Sequence, residues 1–195
     1  MYLHSIGGMM NTDKATGMLV GLAIGDTLGA PLEFQDAREP SNYLTKYTRG
    51  GEHNVSLGEW TDDTSMALAM SKSLLEKKCF DANDIMSKFL AWYKGGEYSP
   101  RGECFDIGGT TAIALNSYLD EVVKDEYLLQ PYRSRTSKDT SGNGALMRLA
   151  PVIIVAKDRY HAIQLAVQQT LLTHGSNTLS YHSNNSTLLY REYIL

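Results

Sequence analysis

Apolar residues recur three and four positions apart through most of this chain, which is the spacing of α-helices that bury one face. Polar residues fill the intervening positions, so helical periods dominate the pattern. The predicted helices cover approximately residues 12–28, 62–77, 81–93, 110–119 and 160–172, and Thr12 is the expected N-cap of the first. The pattern therefore predicts an all-α protein with several short connections and two long ones.

Two stretches interrupt the helical pattern. Residues 35–59 lack periodicity and residues 120–141 are polar, so both are predicted to be irregular connections. Pro151 predicts a kink or break after the apolar segment 145–150. Residues 152–155 have strand propensity, but their helical context favours a helix.

Length and composition indicate one globular domain of ordinary size. With 195 residues, 43% of them hydrophobic, the chain is long enough to bury a real core. The periodic part defines a helical domain over residues 12–175. Residues 1–11 lack the basic region and apolar block of a secretory signal, so we predict a flexible leader. Residues 176–195, rich in serine, asparagine and tyrosine, are predicted to be an atypical tail.

Charge and cysteine content narrow the function classes. The net charge is -4 and the 18 basic residues are scattered, which gives no electrostatic case for nucleic acid. Cys79 and Cys104 have neither zinc-site spacing nor the density of a disulfide scaffold, so we predict reduced thiols in a cytoplasmic protein. No apolar run is expected to span a bilayer, and we predict no membrane partner.

Four glycines follow one another at intervals of four residues along the first predicted helix: Gly17, Gly21, Gly25 and Gly29. Each interior glycine costs a helix about 1 kcal/mol relative to alanine, so we expect another group to approach this face closely. A second helix packed against the small residues is the structural explanation. Asp26 and Glu33 lie where this helix feeds a glycine- and proline-containing loop, which also suits a functional site.

Hydroxyl groups and two adjacent carboxylates crowd the start of the second predicted helix, within residues 58–66. One interpretation is structural: Thr61 caps the helix, and acids in the first turn offset the helix dipole. The other is a metal site, because Asp62 and Asp63 repel each other and hard oxygen ligands suit Mg²⁺. This segment alone does not decide between them.

Two further helix starts carry glycines. Residues 106–111 combine Asp106 with two glycines and two threonines, and residues 142–144 read Gly-Asn-Gly. Free backbone N–H groups at helix N-termini bind phosphates, and glycine allows close approach. A metal beside such phosphate sites predicts a phosphorylated or nucleotide-like ligand.

Taken together, the motifs resemble those of the ADP-ribosylglycohydrolase family, which includes the dinitrogenase reductase-activating glycohydrolases. Five ordered segments carry the resemblance: residues 21–29 with Glu33-Phe34, residues 60–66, residues 106–111, residues 142–148 and residues 173–175. The resemblance implies a compact orthogonal multi-helix fold with a binuclear Mg²⁺ centre, in which Mn²⁺ can replace Mg²⁺. It also implies ADP-ribose or an ADP-ribosylated protein as the partner, and hydrolysis of the bond to ADP-ribose as the activity.

The resemblance assigns roles residue by residue. Thr61, Asp62 and Asp63 match one half of the family's metal cluster. Glu33 matches the acid that lies over the site, and Asp106 matches an acid close to the reacting ribose. Such chemistry uses carboxylates to protonate the leaving group and to activate water, but the sequence leaves open which acid carries the proton. The positions that match the substrate cleft are Gly108, Gly109, Thr110, Gly142, Asn143, Gly144, Met147 and His174. Gly109 departs from the family pattern, in which many members carry asparagine.

One departure is larger. Family members ordinarily supply a second aspartate pair near the C-terminus, and this sequence has no aspartate after Asp158. We therefore expect a truncated or frameshifted member that lacks its C-terminal helices, binds Mg²⁺ weakly and self-associates through exposed core surface. Two alternatives stay open: a non-catalytic ADP-ribose-binding or structural protein, and a site that another chain completes.

Overall fold

The computed structural model describes residues 11–123, 133–134 and 142–175. Within these ranges the regular structure is helical, as the pattern predicts, with six α-helices and two short 3₁₀ turns. The helices are α1 (Thr12–Gly29), α2 (Asp62–Lys77), α3 (Ala82–Gly95), α4 (Gly109–Val123), α5 (Leu149–Val155) and α6 (Arg159–Leu171). The predicted leader, the predicted tail and most of the predicted loop 120–141 lie outside the described residues.

The core forms around α2, which packs against α3, α5 and α1. Helix α4 covers the far side of α3, and α6 covers α5. Helices α2 to α6 each contribute buried apolar side chains, and the large ones fill the space where these helices meet, whereas the only buried residue of α1 is Thr27. The largest fully buried apolar side chains are Trp92, Tyr118, Phe89, Met66, Met70, Ile85, Met86, Leu115, Leu149, Ile153 and Leu172.

Two local predictions differ from the structure. Asn11, not Thr12, caps α1, because its side-chain oxygen accepts from the backbone N–H of Asp13 at 2.7 Å. Pro151 does not interrupt a helix, because it lies in the first turn of α5. Backbone N–H groups in the first turn have no helical acceptor, so a proline there costs no hydrogen bond. Residues 152–155 are helical, as their context predicts.

The glycine face of α1 is open, contrary to the expectation of a closely packed neighbour. A Cβ atom built at Gly17, Gly21, Gly25 or Gly29 would meet no described atom within 4 Å. Two apolar side chains of the same helix are also exposed, Val20 by 50% and Ile24 by 43%. Helix α1 therefore packs on α2 and α5 by one side and leaves the rest of its surface uncovered by the described residues.

This helix also revises the expectation about membranes. The stretch Thr12–Leu32 is long and apolar enough to cross a bilayer by length and composition, and little of it is buried. A single helix of this kind near the N-terminus is a weak indication, because helices of soluble proteins pass the same test.

Candidate active site

The site is built where the end of α1 meets the beginning of α2. Asp26, near the C-terminus of α1, accepts hydrogen bonds from the backbone N–H groups of Thr61 and Thr64, each at 3.0 Å. The two threonine hydroxyls also donate to this carboxylate, at 2.8 Å and 2.6 Å. Asp26 thus satisfies the free donors at the start of α2 and fixes the position of its first turn.

Thr61 is therefore not an ordinary helix cap. It occupies the N-cap position, but its side chain makes no capping hydrogen bond. Its hydroxyl donates to Asp26 instead, which leaves the oxygen lone pairs free. The structural explanation for this segment fails at Thr61, because a side chain from another helix performs the capping.

The adjacent acids Asp62 and Asp63 lie in the first turn of α2, and Asp62 is buried. Burial, and next the charge of Asp63, raises the pKa of Asp62 to about 9. Burial, and next the charges of Asp26 and Glu33, raises the pKa of Asp63 to about 6. Several acids thus repel one another in a poorly solvated place, which a bound cation would relieve.

Two more acids approach from other segments. Glu33 follows the 3₁₀ turn after α1, and Asp106 lies in the loop before α4 with a left-handed backbone, φ 58°. Burial, and next a hydrogen bond with Asp106, raises the pKa of Glu33 to about 7. Burial also raises the pKa of Asp106. A carboxyl pair with raised pKa values can hold and release a proton near neutral pH.

His53 joins these two acids and was not among the predicted site residues. Its Nε2 atom lies 2.8 Å from Oδ1 of Asp106 and 3.6 Å from Oε2 of Glu33. The imidazole ring lies between two aromatic rings, 6.1 Å from that of Phe34 and 6.0 Å from that of Phe105. Phe34 itself has a left-handed backbone and is 82% exposed at the edge of the site.

The predicted substrate residues line one cavity of about 850 Å³ together with the acids. Its lining includes Glu33, Asp62, Asp63, Asp106, Gly108, Gly109, Thr110, Gly142, Asn143, Gly144, Met147 and His174. Thr61 is buried beneath this lining, 1% exposed. Apart from Thr61, the cavity thus brings together the residues that the sequence proposed for metal, catalysis and substrate, and their individual roles stay predictions.

His174 is held at the cavity wall by a buried polar network. Its Nδ1 atom lies 2.7 Å from the hydroxyl of Thr173, and the guanidinium of Arg148 donates to the same hydroxyl. Arg148 is fully buried and also donates to Oε1 of Gln169 at 2.9 Å. Burial, and next the charge of Arg148, lowers the pKa of His174 to about 3. His174 is therefore neutral at physiological pH and contributes shape and hydrogen bonding, not charge.

The comparisons with known proteins agree with this geometry. The family model described as ADP-ribosylglycohydrolase matches residues 9–192, a stretch that includes most of the predicted tail. The ADP-ribosylarginine hydrolase Tri1 of Serratia proteamaculans is 36% identical over 170 residues, which are 87% of this chain and 42% of that protein. The ADP-ribosyl-[dinitrogen reductase] glycohydrolase of Rhodospirillum rubrum is 34% identical over 145 residues, 73% of this chain and 44% of that protein.

A solved structure is also similar. It is described as an ADP-ribosylglycohydrolase-related protein complex, with a TM-score of 0.73 and 31% sequence identity, and the match covers 93% of this chain and 56% of that one. This chain belongs to the ADP-ribosylglycohydrolase family. It spans less than half the length of the two relatives named above.

Proposed function

We propose that this chain carries the metal-binding and substrate-binding half of a Mg²⁺-dependent hydrolase that releases ADP-ribose from a modified side chain or small acceptor. One observation carries the proposal: two acids from the first turn of α2 and two acids from loops, Glu33 and Asp106, line the same cavity as the start of α4 and the glycine-bearing turn 142–144. The names of the relatives, which include an ADP-ribosylarginine hydrolase, support this reaction class.

The residues present fit a hard divalent cation. Asp62, Asp63 and the Thr61 hydroxyl offer oxygen donors only, which is the donor set that Mg²⁺ and Mn²⁺ prefer. Burial and the charges of neighbouring acids raise the pKa of both carboxyls, and a bound divalent cation would stabilise their charged forms. When bound, the cation would orient the ribose hydroxyls and stabilise negative charge near the reacting carbon.

The proton transfers fall to the Glu33–Asp106 pair. In the hydrolysis, a water oxygen forms the new bond to the anomeric carbon of the ribose while the bond from that carbon to the acceptor breaks. The water loses a proton, and the acceptor leaves with one. A coupled pair in which burial raises both pKa values can supply and receive these protons, whichever carboxyl holds the proton first.

The glycine-bearing corners would hold the diphosphate. Helix α4 begins at Gly109, so its free N–H groups face the same cavity as residues 142–144. Phe34, exposed at the rim, offers an aromatic face for a base or a ribose. These contacts would position ADP-ribose with its reacting ribose toward the acids.

The family resemblance assigns only half of the metal centre to this sequence. The Tri1 relative is matched over 42% of its length, and the resemblance places the second aspartate pair of the metal centre beyond the matched part. We therefore expect this chain by itself to hold one ion weakly. The non-catalytic alternative, an ADP-ribose-binding protein, shares the same cavity and differs only in turnover.

Release of ADP-ribose from ADP-ribosylated arginine and serine peptides in Mg²⁺ tests the proposal, with binding of ADP-ribose measured by calorimetry. We expect turnover that falls at least 100-fold in Asp63→Asn, since a lost metal ligand removes transition-state stabilisation of about 2.7 kcal/mol or more. Asp13→Asn, an exposed acid on α1 outside the cavity, is the matched control.

The outcomes separate the alternatives. Saturable ADP-ribose binding without turnover would show that the chain is a non-catalytic ADP-ribose-binding protein and not a hydrolase. Neither binding nor turnover, in a folded chain, would overturn both.

A further inference from the structure

The cluster of Glu33, His53 and Asp106 has the composition of a metal site that the family resemblance does not assign. The three residues come from three separate segments, and one ligand atom from each lies within 4.8 Å of the others. His53 sits in a tight loop closed by the backbone pairing of Gly50 with Val55, where each N–H donates to the other's carbonyl at 2.9 Å. The fold therefore places one imidazole, held in a tight loop, beside two carboxylates from other segments.

The imidazole nitrogen is close to both acids but hydrogen-bonds to neither. Nε2 of His53 is buried and lacks a hydrogen-bond partner of acceptable geometry among the described residues. Its separation of 2.8 Å from Oδ1 of Asp106 is nevertheless short, so the oxygen lies off the N–H direction. Ligands around one ion show this relation, because each points its lone pair at the ion and not at its neighbour.

The distances suit a single small cation. Zinc bonds of about 2.0–2.1 Å in tetrahedral geometry separate neighbouring ligand atoms by about 3.3 Å. The observed separations of Nε2 from the two carboxylate oxygens, 2.8 Å and 3.6 Å, lie on either side of that value. Small side-chain rotations would equalise them.

The position of His53 is fixed by contacts outside the cluster. Arg101 donates from Nη2 to the backbone carbonyl of His53 at 2.9 Å, and to the carboxylate of Glu59 at the same distance. The guanidinium of Arg101 also lies 4.0 Å from the ring centre of Phe105, which contacts the imidazole ring. These contacts hold the backbone of His53 and place aromatic rings beside its imidazole.

We propose that Glu33, His53 and Asp106 form a site for a zinc-class divalent ion, separate from the all-oxygen site of Thr61, Asp62 and Asp63. An imidazole with two carboxylates selects borderline ions such as Zn²⁺ over Mg²⁺, which prefers oxygen alone. Three protein ligands leave a fourth position for water.

Occupation of this site has a consequence for the proposed function. Zinc bound here would take both carboxyls that the proposed hydrolysis uses to move protons, so zinc is expected to inhibit turnover. The site goes beyond that function, and zinc binding is measured without substrate. Failure of the zinc site and failure of the hydrolase are therefore distinguishable.

The chain is first freed of metal with a chelator and then titrated with Zn²⁺ by calorimetry in a buffer with excess Mg²⁺. The visible spectrum of the Co²⁺-substituted chain is a second readout. We expect one ion per chain and a loss of affinity of at least 10-fold in both His53→Gln and His53→Phe. The phenylalanine variant keeps a ring between Phe34 and Phe105 and removes only the nitrogens. Circular dichroism confirms that each variant is folded.

Two comparisons complete the design. His161→Gln is the matched control, because His161 lies on α6, does not line the cavity, and accepts at Nδ1 from the backbone N–H of Lys157. Asp62→Asn should bind zinc within about threefold of the unaltered chain. Unchanged zinc affinity in both His53 variants would overturn the site, and so would an equal loss in His161→Gln or abolition by Asp62→Asn.

Discussion

A buried aspartate beside another aspartate is the most unusual single residue of this chain. Asp62 is 7% exposed, and the charges that raise its pKa come from four other acids: Asp63, Asp106, Asp26 and Glu33. Asp62 also interacts with the buried guanidinium of Arg148, whose pKa this aspartate raises against the effect of burial. Without a cation, the folded state therefore retains a proton on Asp62 that the unfolded chain gives up readily.

The sign of the pH dependence follows from that difference. The pKa of Asp62 is about 9 in the folded state and near its ordinary value of 3.8 in the unfolded state. Between these values the folded state binds more protons, so the stability of the metal-free chain falls as the pH rises. This loss of stability is absent at pH values below the pKa of Asp62 in the unfolded chain, and it grows as the pH rises through neutrality.

Asp62→Asn is therefore expected to stabilise the metal-free chain at high pH. The neutral amide removes the ionisation, so the advantage over the unaltered chain should grow by up to about 1.4 kcal/mol per pH unit. Denaturant unfolding at several pH values between 5 and 8.5, in chelator, measures it. The exposed Asp36→Asn serves as control and should show no such trend. A variant equally or less stable than the unaltered chain at pH 8 would contradict the assignment.

Individual residues show the limits of prediction from sequence. The twin aspartates and Asp106, which precedes two glycines, stood out as local patterns, whereas Glu33 was assigned to the site only by the family resemblance. His53 did not, because one histidine in an irregular loop has no local signature and its partners lie 20 and 53 positions away. Thr61 was open to the wrong explanation, since only the fold shows that its hydroxyl donates to Asp26.

At the scale of elements, the contact between α1 and α2 decides the geometry of the site. Asp26 accepts hydrogen bonds from two backbone N–H groups and two hydroxyl groups of Thr61 and Thr64 at the start of α2. The N-cap residue of α2 makes no side-chain capping bond of its own. The first turn of α2 carries the metal acids, so its orientation depends on this single carboxylate. The hydrogen bonds that Asp26 accepts from Thr61 and Thr64 thus offset part of the repulsion among the acids.

Asp26→Ala is expected to destabilise the fold by about 2–4 kcal/mol, because buried donors of Thr61 and Thr64 lose a charged acceptor. The variant should also lose divalent-ion binding, since the first turn of α2 is no longer fixed. Thermal unfolding with and without Mg²⁺ measures both effects. Asp13→Ala, an exposed acid in the first turn of the same helix, should cost less than about 1 kcal/mol. Equal losses in the two variants would refute the role given to Asp26.

Element types were predictable, but element ends and contacts were less so. The apolar periods gave helices that agree closely with α2 and α6, because tertiary packing uses the same faces that the periods mark. Neighbouring polar side chains can compete for the free N–H groups of a helix start, and in α1 Asn11 and not Thr12 accepts this bond. Pro151 was misjudged because its effect depends on whether it falls in the first turn or the interior of a helix.

For the molecule as a whole, the uncovered side of α1 is the most consequential surface. A groove of about 700 Å³ runs between α1 and α5, lined by apolar side chains that include Met18, Leu22, Leu146 and Ile153. Asp63 lies at its edge, so the groove adjoins the candidate metal site. The structural neighbour is matched over 56% of its length, and the glycines of α1 leave space for another helix.

This surface predicts concentration-dependent self-association of the isolated chain. Val20→Glu combined with Ile24→Glu places charges on the exposed apolar face and should raise the dissociation constant at least 10-fold, a change of about 1.4 kcal/mol. Burial of two such side chains contributes more than that, so the expected loss is conservative. Sedimentation velocity over a range of concentrations gives the constant. Leu75→Glu is the control, because Leu75 is an apolar residue on α2 that is even more exposed, at 72%. A purely monomeric chain, or equal weakening by Leu75→Glu, would show that α1 is not the associating surface.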